Sequence, residues 1–211
     1  MDIKVWAEQF SPPAALMLDL SGVFESFDED ENQVATIFLN YWPKVRDFIR
    51  KENKNRKRKC TLDEYKVNWP PRKLFPKKHV EQMADWGEQI SIDFYNLIQS
   101  INEYLNNTRH YQEMIDCSND FLELFDWSEE EQSRFIGDIG SAMWRMNPEE
   151  GEAYFKKQLE ESGYNETLTS FYTFELLSEK RWDDAANALK GYENSKDSMI
   201  QDRFRWLKER K

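Results

Sequence analysis

The chain has 211 residues, 39% of them hydrophobic and 15% aromatic, which is enough apolar material for a buried core and argues against a disordered protein. Seven glycines and seven prolines are too few for an all-β protein with many turns, and no glycine-rich phosphate loop is present. The two cysteines and two histidines are too far apart in sequence to show the spacing of a zinc site, and two cysteines do not make a disulfide framework. We therefore expect an all-α fold without a metal or cofactor.

The formal charge of −11 is divided unevenly along the chain. Residues 44–79 hold 14 Lys/Arg and 4 Asp/Glu, a balance of +10, whereas the other residues hold 15 and 36, a balance of −21. The first residues lack the pattern of a secretory signal, and the longest apolar run, residues 14–18, is far too short for a membrane span. We expect a cytoplasmic protein that has no membrane partner.

Two helices are predicted before residue 50. Prolines at the start of residues 12–27 are typical of a first helical turn, and the apolar residues that follow have helical spacing. Asp30, with a glutamine three positions later, forms a capping-box pattern that opens a second helix, which we expect to end near Ile49. Pro43 should kink or break this helix. Residues 1–50 are thus predicted to form an N-terminal helical pair.

Residues 51–79 have no apolar periodicity and contain three prolines, so we predict a basic loop. Cations interleaved with Tyr65, Trp69 and Phe75 are typical of proteins that bind single-stranded nucleic acid. The candidate nucleic-acid-binding residues are Arg56, Lys57, Arg58, Lys59, Trp69, Arg72, Lys73, Lys77 and Lys78. Two alternatives are that the loop packs against the acidic remainder of the chain, or that it binds an acidic protein or membrane surface.

From residue 80 onward the apolar period predicts seven helices joined by short connections. Ser128, with a glutamate three positions later, is a capping box, and Asn147 before Pro148 is a second helix start. Gly163 has the position of a residue that ends a helix. These signals divide the region into helical hairpins.

The hairpins repeat with a period near 34 residues. Their second helices begin with an aromatic residue or a proline followed by acids or amides, at Tyr111, Pro148 and Trp182. Gly151 and Phe155 recur 34 residues later as Ala185 and Leu189. A period near 34 with two helices per unit is the signature of tetratricopeptide solenoids. Between residues 88 and 195 the chain resembles that family, although Met114 replaces the small residue of the first unit.

The resemblance implies an α-solenoid over residues 80–211 whose first helices line a concave face. Such faces bind extended peptides or helices, so we expect a non-catalytic interaction module or adaptor with a protein or peptide partner. The candidate partner-binding residues are polar side chains off the buried stripe of the first helices: Asn96, Gln99, Asn102, Arg134, Asp138, Arg145 and Thr173. The sequence leaves the oligomeric state open.

A helical RNase-like enzyme is the remaining alternative. Arg72 and His79 are separated by six residues, which fits an Arg-x(4–6)-His motif, but Pro76 interrupts the helical context that the motif requires. The sequence shows no arrangement of Ser, His and Asp, or of Cys and His, that is typical of a nucleophilic catalytic site. We therefore predict no catalytic, cofactor-binding or metal-binding residues.

Overall fold

The structure, a computed structural model, describes residues 12–24, 30–60 and 94–209. Within these ranges every regular element is an α-helix, which confirms the predicted all-α class. The chain divides into two compact units, Met1–His110 with Glu123–Asp126 and Tyr111–Leu122 with Trp127–Lys211. None of the described helices combines the length and the apolar composition needed to cross a bilayer.

The first unit contains helices α1 (Pro12–Phe24), α2 (Glu31–Arg56) and α3 (Phe94–Asn107). Helices α1 and α3 both pack against α2. The apolar side chains of α2 repeat at helical spacing and are fully buried: Val34, Phe38, Val45 and Ile49. Burial of this apolar stripe is what holds the three helices together, since each such side chain removed from water contributes roughly 1.5–3 kcal/mol.

Helix α2 differs from the prediction at two points. It runs without a break through Pro43 and ends at Arg56, seven residues beyond Ile49. The predicted loop is therefore helical over residues 51–56. The apolar pattern stops at Ile49 because Asn53 takes the next inward-facing position: its Nδ2 donates to the carbonyl oxygen of Leu124 at 2.7 Å.

The second half of the chain contains six further helices. These are α4 (Tyr111–Leu124), α5 (Glu129–Met146), α6 (Pro148–Glu161), α7 (Glu166–Ser178), α8 (Trp182–Ala188) and α9 (Ser198–Glu209). Together with α3 they match the seven predicted helices within residues 94–209; residues 80–93, where the first of these was predicted to begin, lie outside the described residues. Ser128 forms the predicted capping box, Asn147 caps α6, and Gly163 adopts the left-handed conformation (φ +66°) that ends a helix.

Helix α7 is the centre of the second unit. Helix α5 packs against α6 and α7, and α7 packs in turn against α6, α8 and α9. Almost every residue of α7 is buried or half-buried, and only Glu166 and Ser178 are exposed. The core that the helices share is mainly apolar: Trp144, Phe155, Leu159, Leu168, Tyr172, Leu176, Leu177 and Ala185. The packing of adjacent helices is compatible with a helical repeat.

Candidate functional site

A cleft of about 530 Å³ opens in the second unit between α6 and α8. Its wall on one side is α6, its floor includes Thr169 and Tyr172 of α7, and its other wall is α8 with the turn that follows. The turn between α6 and α7 contributes Tyr164, and the turn after α8 contributes Gly191 and Tyr192. Cavities of this size are typical of sites for small molecules and short peptide segments.

An ionic network connects α6 to the start of α8 across the cleft. The guanidinium of Arg181 donates two hydrogen bonds to the carboxylate of Glu152, Nη1 to Oε2 at 2.7 Å and Nη2 to Oε1 at 3.1 Å. Arg181 Nε also donates to Asp184 Oδ2 at 2.8 Å. Lys156 Nζ lies 2.8 Å from Glu152 Oε1, and the hydroxyl of Tyr172 donates to the same oxygen at 3.3 Å. The paired geometry fixes the distance between the two walls.

These contacts set the protonation states in the cleft. The hydrogen bonds from Arg181 are the main reason that the pKa of Glu152 is lowered to about 2. Burial, with a further contribution from the Glu152 carboxylate, raises the pKa of the Tyr172 hydroxyl to about 12. The hydrogen bonds with Glu152 also raise the pKa of Arg181 above its ordinary value. Glu152 is therefore ionised, and Tyr172 and Arg181 keep their protons, throughout the neutral pH range.

The rim of the cleft has polar groups that the network does not use. Glu160, Asn187 and Lys190 are exposed, and their side chains form no hydrogen bond or ion pair with another described residue. Tyr164 is 59% exposed and has a left-handed backbone (φ +63°), a conformation that costs a non-glycine residue free energy. Its carbonyl oxygen accepts a hydrogen bond from the Tyr192 hydroxyl, which joins the two turns at the mouth of the cleft.

The structure corrects part of the predicted partner-binding surface. Asn102 is 3% exposed and Thr173 is fully buried, so the expectation that both lie on a solvent-facing surface is wrong. Thr173 is accommodated in the core because its hydroxyl donates to the carbonyl oxygen of Thr169 at 2.7 Å. Arg145 pairs with the buried carboxylate of Glu175, its Nη2 lying 3.1 Å from Oε2.

The other predicted partner-binding residues are spread over the two units. Asn96 is exposed and Gln99 is half-buried on α3 of the first unit. Arg134 is exposed and Asp138 is half-buried on α5 of the second unit. None of the seven residues lines the cleft.

Four of the predicted nucleic-acid-binding residues fall within the described part of the chain. Arg56 is the last residue of α2, and Lys57, Arg58 and Lys59 follow it, all of them exposed. Lys57 ends the helix in the left-handed conformation (φ +57°). The remaining candidates lie outside the described residues: Trp69, Arg72, Lys73, Lys77 and Lys78.

The ion pair that spans the cleft was not predicted from the sequence. Glu152 and Arg181 are 29 positions apart, and nothing in their local patterns indicates that they pair. One signal was available: a Gly-Tyr pair follows both α6 and α8, as Gly163-Tyr164 and Gly191-Tyr192. Both turns follow the helices that form the walls of the cleft, and Tyr164, Gly191 and Tyr192 line it.

Within the described residues, no group of His, Cys, Asp and Glu side chains is arranged to hold a metal ion. Cys60 and Cys117 are both buried, and they form no disulfide bond. Comparison of the chain with protein-family models, with curated proteins and with solved structures finds no match.

Proposed function

We propose that the second unit is a non-catalytic peptide-binding module, built from divergent tetratricopeptide-like hairpins, and that a segment of a protein partner occupies the cleft between α6 and α8. The observation that carries the proposal is the cleft itself. Its walls are fixed by an internal ionic network, while the polar groups on its rim remain available to a ligand.

Two features support a hairpin repeat. The packing order, in which α5 contacts its own hairpin partner α6 and the next first helix α7, and α7 contacts α8 and α9, is the order in which such hairpins stack. The positions that match at a 34-residue interval also have matching environments. Gly151 and Ala185 are both buried small residues, and Phe155 and Leu189 are both fully buried.

The chemistry of the cleft supports a peptide as the ligand. Glu160, Asn187 and Lys190 offer a carboxylate, an amide and a cation. Together these groups complement the backbone of a peptide and its side chains of either charge. Tyr164 and Tyr192 add rigid rings with polar tips, the side-chain type that is enriched in protein-binding surfaces. The cleft takes the place of the predicted concave face, because α7 is enclosed by its neighbours.

A random peptide library displayed on phage tests the proposal. Peptides selected on the full chain are expected to bind the Asn187→Ala and Lys190→Ala variants at least about tenfold more weakly, a loss of about 1.4 kcal/mol, as measured by fluorescence anisotropy. Lys157→Ala is the control, since Lys157 is an exposed lysine of α6 that does not line the cleft. Its affinity should equal that of the wild type.

Two results would contradict the proposal. The first is a selection in which no peptide is enriched on the wild-type chain over an unrelated protein. The second is a set of enriched peptides whose affinity is the same for the wild type, for Asn187→Ala and for Lys190→Ala, because such peptides bind elsewhere. Neither variant removes a described hydrogen bond, so a loss of binding would not reflect a loss of folding.

A further inference from the structure

The C-terminal end of α2 presents a dense group of cations to solvent. Residues 51–59 contain six cationic side chains and one carboxylate, Glu52, a formal balance of +5. All six cations belong to exposed residues: Lys51, Lys54, Arg56, Lys57, Arg58 and Lys59. Glu52 pairs with Arg56 at 3.3 Å. We name residues 51–59 the basic end of α2.

The chain holds the basic end of α2 in a defined conformation. The side chain of Asn53 donates to the Leu124 carbonyl oxygen at 2.7 Å and accepts from the backbone N–H of Cys60 at 2.9 Å. The N–H of Asp126 donates to the carbonyl oxygen of Cys60 at 3.1 Å. The turn formed by residues 57–59 is therefore tied down on both sides. Cations that are ordered in advance lose less conformational entropy when they bind an anion.

Three lysines of this group have no carboxylate partner in the described part of the chain. Among the described residues, no carboxylate lies within ion-pair distance of Lys51, Lys54 or Lys57. Lys51 and Lys54 lie on adjacent turns of α2, and Lys57 directly follows its last residue. The described part of the acidic remainder thus gives these exposed lysines no ion-pair partner, and their ammonium groups are available to an external anion.

From these observations we propose that the basic end of α2 binds the phosphate backbone of a nucleic acid. Phosphates recur along a strand at short, regular intervals, which suits a row of ammonium groups that act as point charges. The exposed Asn55 amide is a further donor of the kind that contacts phosphate and sugar.

A membrane surface fits the basic end less well. Helices that lie in a bilayer interface carry large apolar side chains opposite their cations, and residues 51–59 contain none. The sequence downstream adds cations interleaved with Tyr65, Trp69 and Phe75, which is typical of single-strand binders. The proposal is independent of the cleft in the second unit.

Fluorescence anisotropy with labelled oligouridine and with a labelled DNA duplex tests the proposal on the full chain over a series of salt concentrations. Replacing Lys51, Lys54 and Lys57 together by glutamine should reduce the slope of log K against log salt by about 2 for the single strand or about 2.7 for the duplex. The control variant replaces Lys157, Lys180 and Lys208 by glutamine. It removes the same charge from exposed positions, and Lys180 has the same left-handed backbone as Lys57.

A second measurement needs no variant. Acetylation of the wild-type lysines, read by mass spectrometry, should be slowed by bound oligouridine at Lys51, Lys54 and Lys57, and unchanged at Lys157 and Lys180. The proposal is overturned if neither nucleic acid binds at low salt, or if both triple variants reduce binding equally. It is also overturned if vesicles containing phosphatidylserine bind and the nucleic acids do not. The proposal is also overturned if the Lys51, Lys54 and Lys57 triple variant is less stable at low salt but keeps the wild-type slope of log K against log salt. The lysines would then only stabilise the C-terminal end of the helix.

Discussion

Gly151 provides the most direct test of how α5 and α6 pack. A Cβ atom at this position would lie 2.4 Å from the Cα and 2.5 Å from the backbone nitrogen of Trp144. Ordinary contacts of a Cβ begin at 3.4 Å, so Gly151→Ala requires the two helices to separate by about 1 Å. The obstacle is backbone, which no change of rotamer removes.

Two opposing effects determine the size of the change. Alanine is favoured over glycine by about 1 kcal/mol in a helix interior, which would stabilise the variant. Overpacking a tight contact costs about 1–3 kcal/mol or more, and a gap of about 1 Å forfeits up to half of the dispersion energy of the separated atoms. We expect the packing effect to prevail and the free energy of unfolding of Gly151→Ala to fall by about 2 kcal/mol.

Urea unfolding followed by circular dichroism measures this difference, and for a chain of this length the melting temperature should fall by roughly 4–8 °C. Ala153→Gly is the matched control, because Ala153 is exposed on the same helix. There, glycine should be the less stable residue by about 1 kcal/mol. If Gly151→Ala is as stable as the wild type, or more stable, the close approach of α5 and α6 is wrong.

Three further predictions concern individual contacts. Leu189→Ala should lower the free energy of unfolding by about 2–5 kcal/mol and Lys190→Ala by less than about 0.5, as measured by urea unfolding; equal losses would show that the helix register is wrong. The stability difference between wild type and Glu152→Gln should be constant above about pH 5 and should shrink as the pH falls from 4.5 toward 2, because the folded pKa is lowered to about 2; a difference independent of pH would refute the ionic network. Asn53→Ala should cost about 1–3 kcal/mol and expose the Cys60 thiol to a disulfide reagent, whereas Asn55→Ala should do neither.

Helix boundaries with a local chemical cause were predictable from the sequence. Ser128 and Asn147 cap helices because their side chains accept hydrogen bonds from backbone N–H groups two or three residues away. Gly163 ends a helix because it adopts a positive φ without steric cost. In each case the interacting groups lie within a few residues of one another, so the local sequence shows both partners of the interaction.

Burial of polar residues was not predictable in this way. Thr173 is fully buried because a threonine in a helix satisfies its own hydroxyl with the carbonyl oxygen four residues earlier. Helix α7 is enclosed on nearly all sides, so its polar residues are buried as well as its apolar ones. The polarity of a residue therefore does not indicate whether it faces solvent. Asn53 shows the converse at the end of α2, where a polar residue continues the buried side of the helix.

The cleft depends on contacts between distant positions. Glu152 lies on α6 and Arg181 directly precedes α8, and their pairing follows only after α6 and α8 have packed around α7. A charged residue on a polar helix face has the same sequence pattern whether it is solvated or paired across a cleft. The repeated Gly-Tyr turns are the one local sign of the cleft.

Charge is used differently at the two proposed sites. In the cleft, Arg181 and Lys156 are paired with the carboxylates of Glu152 and Asp184. These cations therefore position the walls, and the polar groups of the rim contact the peptide. At the basic end of α2, three lysines face solvent without a described carboxylate in reach. Added salt should therefore weaken oligonucleotide binding steeply and peptide binding only slightly. If peptide affinity falls with salt as steeply as oligonucleotide affinity does, the peptide is held by more unpaired cations than Lys190 on the rim supplies, and not by the cleft.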